Sequence, residues 1–254
     1  MTSSHDAQTR SGDAQTRPGT GPGTRAGFRT DVFPEIRRAD AGAVLISEWD
    51  AGSPAGQRAV LDGVAHAWEE TPLPAGFLSR VLFAGTDGRS VLNYAQWTSE
   101  AAHREFVRTE NTGLSERIAA VLDGVGDVGN SGPGRFQLYR SMLPHGAPQE
   151  PGCVVRVAFR TTGHDAARGL VDGLLERVGE LQRGDGGIAS HFHISEDGDR
   201  VVNYSEWTDP ESHEREVGRA LQPQGQVRSY IDSLPGVEPL GFRRYVAPRG
   251  LVRG

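Results

Sequence analysis

Apolar positions along this chain fall into two alternating rhythms. Short β-branched runs (Val44-Leu45-Ile46, and again 154–159) predict strands. Each run is followed by a helical segment. In the first, Ser53 stands as N-cap before Pro54 at the first helical position. In the second, Leu170, Leu174, Leu175, Val178 and Leu181 recur at helical spacing. Next come hairpins turning at Asp87-Gly88 and Asp197-Gly198, a dipeptide suited to the backbone of a tight turn. A second helix is predicted from Thr98 or Thr208, where Thr208-x-x-Glu211 has the form of a capping box with Pro210 just inside. A last strand is predicted near 135–141 and 241–246.

The two series of elements are copies. The stretch from Ser79 to Trp97 aligns without gaps to that from Ala189 to Trp207, an offset of 110 that also carries His103 onto His213. Phe136-x-x-Tyr139 returns as Phe242-x-x-Tyr245 at an offset of 106. Repetition at this length indicates a duplicated module rather than a solenoid. The expected organisation is a disordered leader at 1–27, one repeat at 40–143, a linker at 144–152 containing three prolines, and a second repeat at 153–250. The class is α+β. Each repeat has the ferredoxin-like order β-α-β-β-α-β, whose helices cover one sheet face. Two repeats in one chain can close their bare faces against each other.

Composition narrows the chemistry. The formal charge of −6 gives no support to a nucleic-acid partner. No run approaches the length of a membrane helix, and the N-terminus has no apolar signal segment, so a cytoplasmic location is expected. All 27 basic residues are arginine, which removes lysine-based mechanisms. The single cysteine, Cys153, permits no internal disulfide and is expected as a buried, inert thiol.

The repeats agree best on the strand Val91-Leu92-Asn93-Tyr94-Ala95-Gln96-Trp97 and its copy Val201-Val202-Asn203-Tyr204-Ser205-Glu206-Trp207. Alternation puts Val, Asn and Trp on one face. Asparagine is a poor strand former, so an Asn beside an indole suggests a polar anchor in an apolar pocket. The plainer reading is that Trp97 and Trp207 fill core and each Asn satisfies nearby backbone. The second repeat adds His191 and His193 where the first has Val81 and Phe83. An odd-length hairpin loop would set His193 opposite Asn203; a two-residue loop would pair it with Val202. No carboxylate or third histidine stands at metal-ligand spacing from this pair, so no metal is expected.

Gly76-Phe77-Leu78-Ser79, the run Thr86-Asp87-Gly88-x-x-Val91-x-Asn93-Tyr94-Ala95-Gln96-Trp97 and the closing Ala247-Pro248-Arg249-Gly250 together resemble the antibiotic biosynthesis monooxygenases. The resemblance covers about 40–250 and lies nearest the anthrone-type, quinone-forming oxygenases and the tandem oxygenases that open a ring of angucyclines. It implies an intramolecular version of a dimeric α+β barrel. It also implies an oxygenase that uses dioxygen to convert an electron-rich polycyclic phenol of aromatic polyketide biosynthesis to a quinone or ring-opened product. Polyketide cyclases and haem-degrading enzymes share the barrel, so a non-redox cyclase or a non-catalytic binding module for aromatic intermediates stands beside that reading. Carried over by motif, His193, Asn203 and Trp207 are the expected catalytic residues. His191, His213, Tyr204, Phe83, Asn93, Trp97 and His103 are expected around the substrate. His103 and His213 stand where the family has a tyrosine. The residues themselves require no cofactor; the resemblance admits reduced flavin, a flavin reductase as partner, and a homodimer.

Overall fold

A computed structural model describes residues 24–25, 27–109, 112–126, 128–130, 133–143, 149–180, 186–220 and 226–254. The first half contributes β1 (Thr24–Arg25), β2 (Phe28–Thr30), β3 (Ala43–Asp50), α1 (Pro54–Glu69), β4 (Phe77–Gly85), β5 (Ser90–Trp97), α2 (Glu100–Thr109), α3 (Thr112–Val125), β6 (Gly129–Asn130) and β7 (Gly134–Met142). The second contributes β8 (Cys153–Thr161), α4 (His164–Glu180), β9 (Gly187–Ser195), β10 (Arg200–Trp207), α5 (Pro210–Ala220), α6 (Gln226–Ser233) and β11 (Val237–Arg253). Both halves thus follow the β-α-β-β-α-β order, with one further helix, α3 or α6, before the last strand. Most of the leader and residues 144–148 of the linker lie outside the described residues. Thr24–Arg25, inside the stretch expected to be disordered, instead pairs with β2.

Local chemistry starts and stops these elements as physical rules require. Ser53 Oγ accepts from the Gly56 amide at 3.1 Å and caps α1 behind Pro54. The second helices begin later than the capping box suggests. Their caps are Ser99, whose Oγ accepts from Ala102 N at 3.1 Å, and Asp209, whose Oδ1 accepts from Ser212 N at 2.7 Å. A carboxylate at a helix N-terminus is the better cap, so Asp209 displaces Thr208. Gly88 and Gly198 take positive φ in the hairpin turns, a region closed to most side chains.

The strands close into an antiparallel barrel in the order β11-β4-β5-β3-β7-β9-β10-β8, with β8 returning to β11. The last strand of each half makes the closure. β7 pairs with β3 of its own half and with β9 of the other; β11 pairs with β8 and then with β4. Because side chains alternate, every strand faces two layers. Inside the barrel, Val44, Ile46, Phe83, Leu92 and Tyr94 meet Val154, Ala158, Val202, Tyr204 and Tyr245. Outside it, α1 to α3 cover Leu45, Trp49, Leu82, Val91 and Trp97. On the second half, α4 and α6 cover Phe159, Phe192, Ile194 and Val201.

Candidate functional site

Both hairpins have four-residue loops, because Ala84 faces Val91 and Ile194 faces Val201. An even loop pairs His193 with Val202, not with Asn203. His193 therefore lies inside the barrel, while Asn203 and Trp207 lie on the helix-covered face. The sheet separates the three groups expected around one guest, and the loop's parity is the reason.

Inside the barrel the former candidates form a buried polar seam. His193 is fully buried; its Nε2 is 3.1 Å from the Tyr94 hydroxyl and its Nδ1 is 3.1 Å from the His191 carbonyl oxygen. These contacts fit a neutral ring with the hydrogen on Nδ1. Burial holds its pKa down to about 3. His191 Nδ1 meets Ser141 Oγ at 2.9 Å, and its Nε2 lies 3.7 Å from Glu206. Tyr204 packs on Tyr94 with ring centres 5.1 Å apart, and its hydroxyl has no partner among the described residues. Phe83 packs edge-on to Tyr204. At one end of the barrel Glu48 bridges Arg156 and Arg243. His191, His193, Tyr204 and Phe83 thus hold the two halves together.

The helix-covered face carries the remaining candidates, and here the halves differ. In the first half Asn93 is buried: its Oδ1 accepts from Arg80 Nε at 2.8 Å and its Nδ2 approaches Ser47 Oγ at 3.2 Å. Trp97, only 2% exposed, meets Phe77 edge-on at 5.5 Å, Phe106 at 5.3 Å and His103 at 5.1 Å. In the second half Asn203 and Trp207 are only half-buried. Asn203 lies between Phe192 and Val157, and its buried Oδ1 has no hydrogen-bond partner among the described residues. Trp207 Nε1 donates to Ser205 Oγ at 3.0 Å, which fixes the indole.

His213, on the first turn of α5, packs edge-on against Trp207 at 4.9 Å and against Phe242 at 5.2 Å. Its Nδ1 accepts from Arg244 Nε at 3.0 Å, so the neutral ring carries its hydrogen on Nε2. Burial, then the Arg244 charge, holds its pKa down to about 4. Arg244 lies 5.3 Å over the Phe242 ring. Sequence reasoning missed Arg244; its one signal was its place inside Phe242-x-x-Tyr245. Cys153 is buried, and burial pushes its thiol up to about 11.

On this face the structure brings together an indole edge, a neutral imidazole and a guanidinium, with the Asn203 amide four residues from Trp207 along the same strand face. That set can hold a flat aromatic ring and receive negative charge on its oxygen substituents.

The sequence matches no protein-family model and no curated protein. The structure resembles an anthrone oxidase-like protein, with TM-score 0.65 and 16% identity over 83% of this chain and 94% of that one. It also matches a ferredoxin-fold protein related to antibiotic biosynthesis monooxygenases from Listeria monocytogenes (TM-score 0.43, 9% identity, 81% of this chain and 94% of that one). A third match is a monooxygenase of Streptomyces coelicolor, ActVA-Orf6, solved with nanaomycin D (TM-score 0.31, 28% identity, 39% of this chain and 89% of that one). The fold is that of the anthrone oxidase-like protein. Among the described residues, no helix is long and apolar enough to cross a membrane.

Proposed function

We propose that this chain, built on the antibiotic biosynthesis monooxygenase fold, is an oxygenase. It would use dioxygen to oxidise an electron-rich polycyclic phenol, an aromatic polyketide, at the helix-covered face of its second half. The observation that carries the reading is the buried Oδ1 of Asn203, without a partner among the described residues, on the same strand face as a half-buried Trp207. An orphaned buried amide is costly unless a ligand completes it. The same asparagine in the first half has its partners already.

The chemistry follows from those groups. An anthrone-type substrate loses two hydrogens from one ring carbon; one oxygen atom enters there as a carbonyl and the other leaves as water. Such a phenol gives an electron to dioxygen more readily once it is ionised. Asn203 accepts the phenolic O–H through Oδ1 and, by turning its amide, donates Nδ2–H to the developing oxyanion. A well-placed donor of this kind contributes about 3–4 kcal/mol. The Arg244 guanidinium adds positive charge nearby, and His213, neutral at pH 7, offers Nε2–H. Trp207 forms the wall against which the ring lies. Where a reduced flavin takes part, it would supply the electrons that activate dioxygen, while Asn203 and Trp207 hold the substrate.

The test is incubation with anthrone under air and under nitrogen, with and without a flavin reductase, following quinone absorbance and oxygen uptake. Quinone should form only in air, with one dioxygen consumed per quinone. Equal turnover of a polyketide substrate under nitrogen would point to a cyclase. Tight binding without product in air, with or without reduced flavin, would leave a binding module.

A further inference from the structure

The two halves carry the same Asn-Tyr-x-x-Trp strand, yet its Asn and Trp are buried in the first half and only half-buried in the second. The cause lies on the neighbouring strand. Arg80, in the first half, is buried, and its Nε donates to Asn93 Oδ1 at 2.8 Å. Its planar guanidinium lies over two indoles, 5.1 Å from the Trp68 ring and 5.8 Å from that of Trp49. No carboxylate pairs with it among the described residues, and its buried Nη1 has no hydrogen-bond partner. An arginine in so poor an electrostatic setting is not explained by ion pairing. Phe77 completes the closure, stacked on Trp68 at 5.0 Å and edge-on to Trp97.

At an offset of 110 these two residues become Ser190 and Gly187. The register is the same: Phe77 faces Trp97, and Gly187 faces Trp207. Gly187 is not required by its backbone, since a Cβ there would meet the Trp207 ring at an ordinary 3.7 Å. The second half thus lacks both large side chains: a glycine stands against the Trp207 ring, and Ser190, buried, bonds Ser205 Oγ at 3.2 Å in place of the asparagine. What they cover in one half, an amide and an indole, is what lies half-buried in the other.

We infer that the first half holds a sealed copy of the binding site, in which Arg80 and Phe77 occupy the place of a flat aromatic guest, so that each chain binds one such molecule and not two. This rests on the functional reading of the second half. It adds that site count and access are set by two positions per repeat.

The experiment titrates the full chain with 1,8-dihydroxyanthraquinone by calorimetry, which needs no turnover. Wild type should bind one molecule per chain. The closing variant Gly187→Phe/Ser190→Arg should lose that binding while keeping its far-UV circular dichroism and a Tm no lower than wild type. The opening variant Phe77→Gly/Arg80→Ser should bind two if it folds; if it does not fold, the closing variant decides alone. Two molecules on wild type, a folded opening variant that still binds one, or a closing variant that binds normally would each overturn the inference while leaving the oxygenase reading standing. No binding by wild type would remove that reading, and the inference with it.

Discussion

Replacing His193 by phenylalanine should flatten the acid side of the stability profile. His193 lies inside the barrel, its two ring nitrogens engaged by Tyr94 and by the His191 carbonyl. That arrangement satisfies the neutral ring and excludes water from the cation, holding the folded pKa at about 3. An unfolded histidine titrates near 6.5. Between these values the unfolded chain binds a proton that the folded chain refuses. The stabilisation is therefore complete above pH 6.5 and is lost as pH falls toward 3. At about 1.36 kcal/mol per pH unit, lowering the pH from 7 to 5 costs about 2 kcal/mol through this one ring. Phenylalanine occupies the matching position, Phe83, in the first half, so the substitution suits the barrel. It leaves the Tyr94 hydroxyl unpaired at every pH, an offset that does not change the slope. Urea unfolding at pH 7, 6 and 5, followed by tryptophan fluorescence, should show wild type losing about 2 kcal/mol more than His193→Phe. Parallel losses in the two proteins would refute the reasoning.

Other consequences concern single contacts. Asn93→Ala should cost about 2–3 kcal/mol in urea unfolding, because it strips the buried Arg80 of its hydrogen bond to the Asn93 amide. Arg244→Leu should move the His213 titration up from about 4, since the guanidinium is one cause of the depression; NMR of the imidazole Cε1–H would follow it, and an unmoved pKa would show that burial acts alone. Glu48→Gln weakens two ion pairs, with Arg156 and Arg243, at a partly buried barrel end. A loss of about 1–3 kcal/mol is expected, and it should shrink in high salt through the Arg243 pair, whose guanidinium is half exposed, more than through the buried Arg156 pair.

Much of the architecture was legible because periodicity reports which face of an element is buried. The opening strands, the Ser53-Pro54 helix start and the two Asp-Gly hairpins appear where the pattern puts them. Three things were not legible. Hairpin parity depends on how many residues a loop sequesters, and Asp-Gly is compatible with several lengths, so His193 could not be assigned a face. The additional helices α3 and α6, between the second helix and the last strand of each half, were not predicted. The 17-residue length of β11 reflects pairing with two strands from different halves, which no local pattern encodes. The site divides the same way. Asn203, Trp207 and His213 are brought together on one face, while His191, His193 and Tyr204 serve the seam. Arg80, which holds Asn93, and Arg244, which holds His213, sit on other strands and carry no motif.

The most direct test compares kcat for quinone formation in Asn203→Ala and His193→Phe at pH 7.5, each confirmed folded by circular dichroism. The face separation predicts that Asn203→Ala falls about 100-fold, the loss of one oxyanion donor, while His193→Phe stays within about threefold of wild type. A collapse in His193→Phe with near-normal turnover in Asn203→Ala would put the chemistry inside the barrel and contradict the assignment.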